Sequence, residues 1–170
     1  CTAVIRGFVR RRPRLNGSTG AAVWAALRSA AAARASSVKK SGISSPADPL
    51  EGTQFSEEEL RAACQEAEAA NLYAMAHAYS PRAVTRAVRA GVRSIEHGNL
   101  IDAATAKVMK SEGAFLVPTL ATYEALADEG ERLGWSAAMM GKLATVAEKG
   151  IDAVRIAAAE GVPVVFGTDL

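Results

Sequence analysis

Three short apolar runs in this chain each end on a side chain able to hold a metal: YAMAH at His77, SIEH at His97 and VVFGTD at Asp169. An apolar run closed by His or Asp reads as a buried strand whose polar residue sits where the strand emerges at its carboxyl end. Parallel α/β folds place their chemistry at that end. The chain contains only two histidines, and both stand at such a position. Two imidazoles and a carboxylate converging on one rim suit a divalent transition metal. Bound water at such an ion becomes acidic enough to supply hydroxide near neutral pH, the reagent of metal-assisted hydrolysis.

The surrounding text supplies the elements that must position these residues. Ser56 followed by Glu59 fits a capping box, and EEELRAACQEAEAA continues as an amphipathic helix. NLYAMAH (71–77) is a short apolar run for a strand. SPRAVTRAVRAG (80–91) opens on Ser-Pro and closes on Gly91, a helix start and a helix stop. VRSIEH (92–97) predicts the next strand, IDAATAKVMKSEG (101–113) a helix, and AFLVPT (114–119) a further strand. Residues 120–160 predict two helices broken near Gly130 and Gly134, and VPVVFGTD (162–169) a last buried strand. Strands alternating with helices predict βαβ units and a parallel sheet with right-handed crossovers.

The beginning of the chain reads differently. Residues 1–47 hold nine Arg and Lys and no acid, whereas the remainder carries 18 acids against 11 bases. Residues 1–20 have Gly, Pro and Asn-Gly punctuation and no sustained period. Residues 21–35 are alanine-rich and predict a helix by propensity, and residues 41–54 read as a loop. A basic arm can serve nucleic acid, but this one lacks interleaved aromatics and any binding motif, so nucleic acid is not an expected partner. Two cysteines make neither a metal pattern nor a disulfide framework. No apolar run reaches the roughly 18 residues of a membrane helix, and no secretory signal is evident, so a cytoplasmic setting is expected.

From about Ser41 onward the text resembles the amidohydrolase superfamily, and more narrowly the metal-dependent hydrolases related to imidazolonepropionase and the Xaa-Pro dipeptidases. The matching stretches are SPADPLEGTQFSEEELRAA, AMAHAYSPRAVTRAVRAGVRSIEHGNLID, GAFLVPTLATYEAL and GVPVVFGTDL, in family order. The resemblance implies a (β/α)8 barrel, of which residues 41–170 hold the carboxyl-terminal half, about strands 4/5 to 8 with their helices. At 170 residues the chain is below the usual barrel length of about 250. It begins on Cys1 rather than Met, and is expected to be a fragment.

Position by position, the resemblance makes His77 the metal ligand at the end of strand 5 and His97 the ligand at the end of strand 6. Asp169 becomes the strand 8 aspartate, which touches the metal site and takes a proton from the water. Catalysis is thus assigned to Asp169 and His97, metal binding to His77, His97 and Asp169, and the substrate mouth to Tyr79 and Tyr123. Glu96, one residue before His97, is expected by strand alternation to point away from the barrel axis. The implied cofactor is a divalent ion, zinc first, one or two per site in the intact family. The implied reaction is hydrolysis of a C–N bond in a small amide, lactam or dipeptide. The family's strand 1 His-x-His does not occur here, and its strand 4 lysine aligns with Ser36, with Lys39 and Lys40 out of register. Residues 1–40 are therefore set apart as atypical, and the alternative is a catalytically inactive, truncated or frame-altered remnant. Unpaired sheet edges in such a piece favour association into homo-oligomers.

Overall fold

The structure, a computed structural model, describes residues 2–4, 43 and 49–169. The helix expected over 21–35, Ser36, Lys39 and Lys40 lie outside the described residues. Helices α1 (Glu57–Ala69), α2 (Pro81–Arg89), α3 (Ala103–Ser111), α4 (Leu120–Glu129) and α5 (Ala137–Ala159) alternate with strands β2 (Met75–Ala78), β3 (Ser94–His97) and β4 (Phe115–Val117). The three strands are parallel neighbours in that order, with His77 opposite Glu96, Ala78 opposite His97, and Ile95 opposite Leu116. This is the α/β architecture the alternation predicts, an arc of βα units.

Local chemistry explains where the helices begin. Ser56 Oγ accepts from the Glu59 amide at 3.2 Å while Glu59 Oε2 accepts from the Ser56 amide at 2.8 Å, the expected capping box. Ser80, Asp102 and Ser136 cap α2, α3 and α5 through their side-chain oxygens, and Pro81 opens α2. After α2 the chain must turn sharply into β3. Gly91 does this at φ 106°, and a Cβ there would meet Cys64 Cβ at 3.3 Å.

One face of the sheet makes the core. Ala76, Ala78, Ile95 and Leu116 pack against Val84 and Val88 of α2, Met109 of α3, and Ala153 and Ala157 of α5. Alanines on the strands let the helices lie close. The other face carries Met75, His77, Ser94, Glu96, Phe115 and Val117, and half of these are only partly covered. No helix of the described residues is long and apolar enough to cross a membrane.

Two expectations change. Thr2–Val4, read as irregular, forms an edge strand β1 that runs antiparallel to β2. The strand expected over 162–169 shrinks to one parallel bridge, Leu116 to Val164, made by Leu116 N–H to Pro163 O and Val165 N–H to Leu116 O at 2.9 and 2.8 Å. Nor is it buried: Val164, Val165 and Phe166 are 41%, 44% and 89% exposed. Among the described residues only Val162 of this segment joins the core, while beyond it the segment pairs on one side only and leaves Val164, Val165 and Phe166 uncovered.

Gly150 sits inside α5, where alanine ordinarily stabilises a helix by about 1 kcal/mol. Here a Cβ would lie 2.6 Å from Leu120 Cδ2 and 3.0 Å from Asn99 Nδ2. Leu120 can rotate away, but Asn99 is pinned by its 2.9 Å bond to the Val146 carbonyl. Gly150→Ala is therefore expected to destabilise by roughly 1–2 kcal/mol in urea unfolding. A gain in stability would show that the loop after β3 yields.

Candidate metal centre

His77 stands in β2, His97 ends β3, and Asp169 follows the Val164 bridge, so all three lie at one end of the parallel strands. His77 Nδ1 is 2.9 Å from His97 Nε2, and Asp169 Oδ2 is 3.9 Å and 3.7 Å from those two atoms. A point about 2.1 Å from all three lies near the plane they define, which is the length of a zinc–nitrogen or zinc–oxygen bond. Two imidazoles and a carboxylate are also the right donor types. The residues fit a divalent ion.

Strand register alone would not have produced this triangle. His77 pairs with Glu96, so those two share a face, and His97 by alternation belongs to the opposite, helix-packed face. His97 instead takes φ 78°, which swings its ring round toward His77. Glu96 consequently lies on the His77 face, and the expectation that it points away from the axis is wrong. It is buried, accepts from Ser94 Oγ at 2.5 Å, and has its carboxyl pKa raised. Burial is the main cause and the charge of Asp169 adds to it, while the Ser94 bond works the other way.

His97 is held from three directions. Its ring stacks on Tyr79 at 4.6 Å with an interplanar angle of 6°, its Nδ1 is 2.7 Å from Thr119 Oγ1, and its Nε2 faces His77. Only 4% of it is exposed, and burial, with the charge of His77 adding, lowers its pKa to about 3. The ring is thus neutral at physiological pH, as a ligand must be. Burial likewise pushes the Tyr79 and Tyr123 hydroxyls well above their ordinary range, so both remain O–H groups.

Asp169 is the wet member, with its side chain 42% exposed. Thr122 Oγ1 donates to the Thr168 carbonyl and ties the Asp169 segment to α4. A cavity of about 350 Å³ opens against the site, with Tyr79, His97, Asp169, Leu126, Leu133 and Trp135 among its lining residues. Tyr79, one of the two residues expected at a substrate mouth, borders it. Tyr123 does not: it is 2% exposed, and its hydroxyl donates to Asn99 Oδ1 at 2.8 Å. Thr119, Asn99 and Trp135 were not singled out for the site by sequence reading. Asn99 lay in plain view in the IEHGN text, but its partners are 24 and 47 residues away.

The histidine shift has a measurable consequence. Unfolded, His97 takes up a proton as the pH falls through about 6.5, whereas the folded ring resists until about 3. The unfolded chain binds the extra proton, so stability falls as the pH is lowered through that window, by on the order of 1 kcal/mol per pH unit. Denaturant melts of the metal-free chain between pH 7 and 4 (a range chosen roughly to span that window) should show this slope, and His97→Gln should flatten it. A wild-type slope that His97→Gln leaves unchanged would place the effect elsewhere.

Comparison with known proteins adds context to this geometry. The model of the amidohydrolase family matches residues 3–170, starting within the Arg- and Ala-rich segment. Ochratoxinase from Aspergillus niger is 33% identical over 132 residues, which cover 75% of this chain and 26% of that protein. A crystal structure of a prolidase complexed with N-methylphosphonate-L-proline superposes with a TM-score of 0.73 at 54% identity, over 78% of this chain and 32% of that one. A Xaa-Pro dipeptidase structure with methionine bound in its active site gives a TM-score of 0.69 at 31% identity, over 78% of this chain and 33% of that one. The chain spans about a quarter to a third of the length of these relatives.

Proposed function

The chain belongs to the amidohydrolase family, and from that premise we propose that it carries the carboxyl-terminal part of a zinc-dependent hydrolase that cleaves the C–N bond of a small amide, lactam or dipeptide. The observation that carries this reading is the His77–His97–Asp169 triangle, sized for one ion and open to the cavity on the Asp169 side. His77 Nδ1, His97 Nε2 and Asp169 Oδ2 are the atoms that would hold the ion. When bound, it supplies an acidified water and a Lewis acid for the scissile carbonyl.

The chain's own residues do the rest. His97, neutral and clamped, keeps its donor atom aimed without competing for protons. Asp169 is exposed enough to reach a water in the cavity, takes its proton as general base, and returns it to the leaving nitrogen as general acid. Tyr79 lines the mouth, with its ring stacked on His97 and its hydroxyl bonded to Tyr123. Trp135, Leu126 and Leu133 offer an apolar wall for a substrate side chain. Among C–N substrates we favour a dipeptide with carboxyl-terminal proline, supported by the prolidase whose structure holds a phosphonate-proline ligand.

Purified chain should take up stoichiometric zinc and hydrolyse Xaa-Pro dipeptides. His77→Ala should abolish stoichiometric uptake, and Asp169→Asn should lower kcat by about 100-fold or more. Absence of zinc from the wild-type chain would sink the metal centre. Zinc uptake without turnover would instead fit the inactive-remnant alternative.

A further inference from the structure

A buried hydrogen-bond chain leads away from His97, on the side opposite the metal ligands. His97 Nδ1 lies 2.7 Å from Thr119 Oγ1, Thr119 Oγ1 3.4 Å from the Tyr123 hydroxyl, that hydroxyl 2.8 Å from Asn99 Oδ1, and Asn99 Nδ2 2.9 Å from the Val146 carbonyl of α5. His97, Thr119, Tyr123 and Asn99 are all buried. Thr119 stands at the N-cap of α4, where a threonine hydroxyl ordinarily accepts from the helix's own amides. Here it makes no such bond and sits at φ 49°, an unfavourable conformation for a β-branched residue, with its hydroxyl turned to the imidazole.

The far end of the chain sets its direction. A backbone carbonyl only accepts, so Asn99 must present its NH2 to Val146, which leaves its oxygen facing Tyr123. An amide oxygen only accepts, so the Tyr123 proton goes to Asn99. The Tyr123 oxygen has then spent its proton, and its two lone pairs accept from the Tyr79 hydroxyl and from Thr119. Thr119 has spent its own proton in turn, so it can only accept from His97. The last link forces the proton onto Nδ1 and leaves Nε2 bare, facing His77 and Asp169.

We infer that Thr119, Tyr123 and Asn99 are positioning residues that lock His97 in its Nδ1–H tautomer, so that the Nε2 lone pair is committed to the metal by a bond anchored on the α5 backbone. Its purpose rests on the metal-centre reading above, but the tautomer itself is readable without metal. The chain's two histidines make that simple. Nitrogen-15 spectra of metal-free, ¹⁵N-histidine-labelled chain at pH 8 (a value roughly above the ordinary imidazole range) report which nitrogen of each ring is protonated, and His77→Gln assigns the pair.

The wild-type His97 should show a single Nδ1–H form. Tyr123→Phe frees the Thr119 proton to point at the ring, so the Nε2–H form should appear alongside the first. Thr119→Val should do the same, and Thr119→Ser should restore the wild-type pattern. With zinc, Tyr123→Phe should weaken binding by about 10- to 100-fold. An Nε2–H tautomer in the wild type overturns the inference. So does a His97 pattern unmoved by both Tyr123→Phe and Thr119→Val, or by Tyr123→Phe alone should Thr119→Val fail to fold. A wild-type chain that shows the expected tautomer but takes up no zinc defeats the metal-centre reading and leaves the lock standing.

Discussion

The site depends on the chain leaving extended geometry at the ends of its strands. Four non-glycine residues among those described have positive φ, and three of them, His97, Thr119 and Asp169, meet at the candidate metal centre. Each costs on the order of 1–3 kcal/mol and persists only if its surroundings hold it. The surroundings are visible here: Tyr79 stacks on the His97 ring, Thr119 bonds its Nδ1, and Gly98 follows at φ 60°, where a Cβ would strike Leu116 at 2.5 Å. Without the reversal at His97, the ring would be buried among alanines and valines on the helix side of the sheet. The donor triangle would then not close.

This explains which parts of the site were legible in the sequence. His77, His97 and Asp169 stand out because an apolar run ending on His or Asp is a one-dimensional signal. The helices were equally legible, since Ser56, Ser80, Asp102 and Ser136 announce their starts. Glu96 was misread because alternation was counted from His97, the one residue of β3 that departs from strand geometry. Thr119, Tyr123 and Asn99 carry no local signal of the bonds that link them to His97 and α5. Their bonds join residues 22, 24 and 47 apart in sequence, and only packing of β3, α4 and α5 reveals them. The last strand was over-read for the opposite reason. VPVVF has the composition of a buried strand, but burial needs a partner on each side, which composition does not report.

The two faces of the sheet divide the work of stability and chemistry. The helix face is closed by small side chains and holds the fold. The other carries His77, Glu96 and Ser94 and is flanked by exposed Val164, Val165 and Phe166. Those exposed residues form a ready edge for further pairing. The stretch of this chain that superposes on the relatives of known structure covers about a third of their length.

Burial also distinguishes the three groups of the candidate metal centre. His97 is dry, with its pKa depressed to about 3 by burial, so its ring is neutral and keeps a lone pair. Asp169 is wet and borders the cavity. His77 lies between them in exposure. The hydrolysis proposed for this site calls for one group that stays unprotonated and another that water can reach. Here the first is supplied by a ring sealed behind Tyr79 and Tyr123. The second is a carboxylate in the segment that, among the described residues, meets the sheet through the single Leu116–Val164 bridge. The weak pairing of residues 162–169 is therefore compatible with chemistry, because the ring that must not move is anchored through α4 and α5 rather than through that edge.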